Sequence, residues 1–142
     1  MEMQLLSKIN SIARYTLAFV FAYHGLVPKI LWLSPIEASL TNAHNLDAVV
    51  ASPLAGVLEI ILALSILLFK NSLIPVYIAI TLLIVLLLDV MVIMPSLLIE
   101  AFNPVTINLA TIVIAYFVCI THTHAKSYIK SSKSEAASSA GS

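Results

Sequence analysis

Polar residues are scarce along this chain, and their spacing leaves four long apolar stretches, at residues 12–33, 50–69, 73–94 and 104–120. A helix crossing the hydrocarbon core needs about 20 mostly apolar residues, so each stretch predicts one transmembrane helix. Helix punctuation brackets them. Asn103 before Pro104 fits an N-cap with proline at the first helical position. Ser72 precedes the third stretch, Pro75 lies in its first turn and Pro95 closes it, while Lys70, Asn71 and Ser72 form a tight hairpin after the second. Between the first two stretches, Ser34-Pro35-Ile36-Glu37 matches a capping box. It predicts a short interfacial helix carrying Leu40, His44 and Leu46. The expected fold class is all-α: a transmembrane four-helix bundle with an interfacial helix between spans one and two.

Composition changes the solvent. Of 142 residues, 61% are hydrophobic and only 10% charged, where a soluble domain carries about 25% charged residues. So few charges cannot cover a water-facing surface, and the lipid bilayer is the expected partner. Net charge is zero, and no basic patch interleaved with aromatics suggests nucleic acid. The single cysteine, Cys119, excludes an internal disulfide or a Cys-x-x-Cys centre, and reads as a small buried hydrophobe. The first apolar run is long and lacks a following small-residue cleavage site, so it reads as a retained span. The four-span domain is expected over residues 1–128. Residues 129–142 have the Ser/Ala/Gly composition of a flexible linker, of the kind cloning leaves behind.

Lys8 and Arg14 flank the first span, Lys70 sits in the hairpin, and Lys126, Lys130 and Lys133 follow the fourth span. The other two loops hold Glu37, Asp47 and Glu100 without a lysine or arginine. The positive-inside rule then places both termini in the cytoplasm, as in a bacterial-type inner membrane.

Laid antiparallel, the spans bring their interrupting polar residues to one depth. At about 1.5 Å per residue, His24 lies roughly 18 Å from the inner end of span one, with Lys29 further out. Glu59 lies roughly 14 Å and Asp89 roughly 7 Å from the outer ends of spans two and three, with Asn108 at similar depth in span four. Ionisable groups at such depth are expensive and mark functional sites by default. The layer His24, Lys29, Glu59, Asp89 and Asn108 is therefore the expected ligand-binding or proton-relay site. No motif assigns a catalytic residue.

Each member also has a plainer reading. His24 is a structural histidine bonded to Glu59 or Asp89, next to a kink at Gly25 caused by the missing N–H of Pro28. Lys29 snorkels to the headgroups or pairs with Asp89 or a substrate anion. Glu59 is flanked by Leu58 and Ile60 and forms an ion pair or holds a proton. Asn108 shares a helix-packing face with Thr111 and Ala115, and Asn103 is an N-cap ahead of Pro104. Arg14 and Tyr15 sit at the inner interface. His24, Glu59 and Asp89 could supply three metal ligands, but no spacing signature supports a metal. The His122-Thr123-His124 string reads as non-functional.

The string Tyr23-His24-Gly25-Leu26-Val27-Pro28-Lys29, the element Gly56-Val57-Leu58-Glu59 and the run Phe102-Asn103-Pro104-Val105-Thr106-Ile107-Asn108 resemble the DoxX-like family of small four-span membrane proteins. The resemblance extends to about Tyr128 and implies a four-helix membrane bundle. It also implies a redox setting. Some members are integral subunits of quinone-reducing oxidoreductases that handle sulfur compounds. Others associate with membrane redox enzymes, are fused to nucleotide-dependent dehydrogenase-like domains, or act as assembly factors. The positions that match the family pattern are His24, Lys29, Glu59, Asn103 and Asn108.

Three functions follow as expectations. The first is a redox-associated subunit with a quinone or similar apolar ligand among its helices, served by a membrane or peripheral redox partner. The second is a structural or assembly module, and the third a small proton-coupled transporter. A homodimer is compatible with so thin a bundle.

Overall fold

The computed structural model describes residues 2–139. Ala140, Gly141 and Ser142, the end of the expected linker, lie outside the described residues, as does Met1. Five α-helices follow in order: α1 (Glu2–Leu26), α2 (Pro35–Ala43), α3 (Ala48–Leu68), α4 (Ile74–Ile93) and α5 (Pro104–Ser139). The described residues contain no strand, as the apolar pattern predicts. α5 continues past Tyr128 to Ser139, into the stretch of linker composition.

Three segments are each long and apolar enough to cross a bilayer: α3, α4 and Pro104–Tyr128 of α5. The first stretch behaves differently. Residues Met3–Leu31 and helix α2 qualify only as a pair, bent by 87°. Within that stretch, Arg14, His24 and Lys29 dilute the apolar run.

α1 is the central element, packed along both α3 and α5. α5 also packs on α4, and α2 lies across α3. The core joins Leu17 and Phe21 of α1, Ile66 of α3, Val76 and Ala79 of α4, and Ala115 and Val118 of α5. Lipid tails are as apolar as leucine, so burying hydrocarbon alone does not hold such helices together. Close van der Waals packing at small residues does, and Ala18, Ala63, Ala79 and Ala115 supply it. α3 and α4 share a tight hairpin yet touch little, which leaves a cleft between them.

Arg14 does not snorkel as its position near the inner interface suggests. It is 2% exposed and donates to Ile66 O at 3.0 Å, Ser72 O at 3.2 Å and Asn10 Oδ1 at 3.1 Å. Asn10 in turn donates to Val118 O at 3.0 Å and Thr121 Oγ1 at 2.8 Å. The last carbonyls of a helix lack intrahelical partners and favour a cation. Arg14 serves that end of α3 and ties the hairpin to α1, while Asn10 ties α1 to α5.

The proline distortion also falls elsewhere than expected. α1 stays α-helical through Gly25 and Leu26, then widens into a π-helical turn over Val27–Leu31. Trp32 N–H reaches back to Val27 O at 3.0 Å, and Ser34 N–H to Pro28 O at 2.9 Å. Pro28 stands at the start of the widened turn, where a missing N–H is tolerated. Gly25 is thereby freed for another role.

Candidate functional site

α1 and α3 cross at two glycines. A Cβ on Gly25 would strike the carbonyl oxygen of Gly56, and one on Gly56 would strike that of Gly25. Only hydrogen fits on either side, so the backbones meet directly. Lys29 lies four residues beyond Gly25, and Glu59 lies three beyond Gly56. Helical spacing puts each on the crossing face of its own helix.

There they form an ion pair. Lys29 Nζ lies 2.5 Å from Glu59 Oε1, with Lys29 7% and Glu59 5% exposed. An unpaired charge at this depth would be strongly unfavourable, and mutual pairing is what lets both remain. Glu37 joins from α2, its Oε2 3.7 Å from the same ammonium. Two carboxylates therefore face one cation.

Glu37 comes from the predicted capping box, of which only half forms. Ser34 Oγ accepts from Glu37 N–H at 3.1 Å. Ser34 N–H is committed to Pro28 O, so the Glu37 carboxylate turns to Lys29 instead. Glu37 was not among the expected site residues, because the capping motif accounted for it. Its one signal was its position eight residues after a membrane lysine. On α2, outside the spanning segments, burial pushes the Glu37 carboxyl up from its ordinary range, and nearby Lys29 opposes that shift.

The second oxygen of Glu59 has no such partner. Oε2 is buried and lacks a hydrogen bond among the described residues. Glu59 and Lys29 line the cleft between α3 and α4, a space of about 670 Å³. Leu62 of α3, Phe69 just past its end, and Ile78 and Leu82 of α4 extend its walls toward the hairpin. The arrangement is an apolar slot with an ion pair at one end, which is how ligand pockets combine burial with orientation.

A family model described as the DoxX-like family matches residues 18–116. The chain belongs to the DoxX-like family. Neither the curated proteins nor the solved structures give a match. The matched span holds Gly25, Lys29, Glu37, Gly56 and Glu59 together, so the whole ion cluster of this DoxX-like protein lies within it. With its long apolar helices, this is an integral membrane protein.

The remaining members of the expected layer separate. Asp89 does not meet Lys29; its Oδ1 lies 2.9 Å from His44 Nε2, bringing α4 against the end of α2. That pair is far more open, with side chains 46% and 28% exposed. His24 bonds neither Glu59 nor Asp89. It is exposed on α1, with the Tyr23 ring 6.4 Å from its own. Asn108 is half-buried without a hydrogen bond among the described residues, while Thr111 and Ala115 on the same stripe are buried. Asn103 caps α5 as expected, its Oδ1 accepting Thr106 N–H at 2.9 Å, with Pro104 opening the helix. The groups of at least three potential metal ligands that would suggest a metal centre are not found among the described residues.

Proposed function

We propose that this DoxX-like protein is a redox-associated membrane subunit that holds a quinone-type apolar ligand between α3 and α4. One observation carries the reading: the buried Lys29–Glu59 pair, with an unpartnered Glu59 oxygen, lies on the wall of an otherwise apolar cleft. A cleft of about 670 Å³ falls within the usual range for a small-molecule site. Lys29 would hold the Glu59 carboxyl in place, Glu59 would exchange a proton with the ring oxygen, and Leu62, Phe69 and Ile78 would sheathe the tail. The single cysteine gives the chain no dithiol of its own, so electrons would come from a membrane or peripheral partner enzyme. We place the protein in a bacterial-type inner membrane as four spans, α1 being the first, with α2 on the outer face and both termini cytoplasmic. The distribution of lysine and arginine supports that orientation.

The test is ligand-dependent stability. A decyl-tailed quinone or its reduced form, added to purified protein, gives a saturable rise in melting temperature that Ile78→Trp abolishes by filling the cleft. If neither form shifts the melting point, the proposal fails. One observation favours the alternative of a structural or assembly module: Lys29 is already matched by two carboxylates. Unchanged ligand behaviour in a folded Lys29→Met/Glu59→Leu double variant would support that alternative.

A further inference from the structure

We infer that the cleft between α3 and α4 selects an amphiphile whose head group donates a hydrogen bond, a phenol- or quinol-type hydroxyl, over one that can only accept. The inference rests on the proposed ligand site and deepens it.

The basis is the hydrogen-bond inventory at the polar end of the cleft. Glu59 Oε1 is held by the Lys29 ammonium at 2.5 Å. A carboxylate against an ammonium is an acceptor at both oxygens. Its second oxygen, Oε2, is buried without a partner among the described residues, and Glu59 as a whole is 5% exposed. Buried polar atoms almost always find a partner, and one left alone invites a specific explanation. Here the residue lines a cavity large enough for a ring head group and part of a tail. A carbonyl or ether oxygen placed against Oε2 would set two acceptors face to face. A hydroxyl would complete the set.

The Lys29 ammonium bonds Glu59 Oε1 and lies 3.7 Å from Glu37 Oε2, so two carboxylates oppose its charge. Two carboxylates around one ammonium also leave this corner electron-rich, which favours a donor and disfavours a further acceptor. Leu62 and Ser65 of α3, Phe69 just past its end, and Ile74 and Ile78 of α4 carry the tail toward the hairpin. The slight contact between these two helices leaves the cleft open sideways to lipid. An amphiphile would thus enter laterally, head to Glu59 and tail toward the hairpin.

The experiment uses the intact protein in nanodiscs, with empty nanodiscs as the partition blank. The probes are 4-decylphenol, 4-decylanisole and decan-1-ol, plus decyl-tailed hydroquinone and quinone. The phenol and anisole share ring and tail and differ in one donor. A hydrogen bond to a charged acceptor predicts roughly tenfold or tighter binding for the phenol, and the same order for hydroquinone over quinone. Glu59→Gln reduces that preference toward unity while retaining tail binding. Equal binding of phenol and anisole, or preference for the quinone, overturns the donor rule and leaves the ligand site standing. Decan-1-ol matching the phenol keeps the donor rule and moves the ligand class to aliphatic alcohols, against the quinone-type reading. Binding of none of the probes overturns both. The wild-type comparison suffices if Glu59→Gln does not fold.

Discussion

Lys29 Nζ and Glu59 Oε1 lie 2.5 Å apart, on helices that begin 46 residues from one another in the chain, Glu2 and Ala48, and both residues are buried. Removing one partner strands the other charge. Glu59→Ala and Lys29→Ala are each expected to destabilise the protein by about 3–5 kcal/mol. Lys29→Met/Glu59→Leu should lose much less than the sum. A double-mutant cycle by reversible unfolding in detergent measures the coupling, and simple additivity would show that the pair is not a unit.

Gly25 and Gly56 make that pair possible. Gly25→Ala forces the backbones apart, since its Cβ meets the Gly56 carbonyl oxygen directly. The expected loss is about 1–3 kcal/mol, with a longer α1–α3 distance by spin-label spectroscopy. A folded Gly25→Ala protein with unchanged distance and stability would contradict the close crossing.

Arg14 holds the opposite end. Arg14→Met leaves Ile66 O and Ser72 O without their donor, and stranding such a group costs about 1–3 kcal/mol. The hairpin amides at residues 68–73 should exchange faster with deuterium, with little change at Lys29. Uniform exchange across both ends would argue against a local latch.

The pair His44–Asp89 offers a contrast in exposure. His44 is exposed and Asp89 half-buried, and such open pairs contribute up to about 1 kcal/mol. Asp89→Asn is therefore expected to shift stability only slightly and leave ligand affinity intact. A loss as large as that of Glu59→Ala would place Asp89 in the buried site after all.

The proposed orientation predicts which loops water-soluble thiol reagents reach. With Cys119 replaced by alanine, Ser39→Cys and Glu100→Cys should label from outside sealed cells and Asn71→Cys only after permeabilisation. Labelling of Asn71→Cys from outside would reverse the assignment.

Several helix positions and caps were readable from sequence because they depend on local chemistry. The last three apolar runs, the Asn103 cap ahead of Pro104 and the Ser34 cap ahead of Pro35 form as read, while the first run does not qualify by itself and the capping box closes on one side only. Spacing along the spans put Lys29 and Glu59 in one expected layer, though with Lys29 expected to snorkel or to pair with Asp89 or a substrate anion. Rotation about each helix axis was not readable. Equal depth alone grouped His24, Asp89 and Asn108 with them, yet His24 faces outward and Asp89 meets His44.

What the chain determined by itself is an apolar, all-α protein with a few charges set inside its apolar segments, since hydropathy and capping are local. Tertiary structure decided which charges meet. The contact of Gly25 with Gly56 fixes how α1 turns toward α3, and the 87° bend into α2 carries Glu37 back to Lys29. Both depend on backbone packing between segments distant in sequence or separated by a bend, which periodicity does not encode. The slight contact between α3 and α4 opens the cleft in the same way, leaving Glu59 among its lining residues.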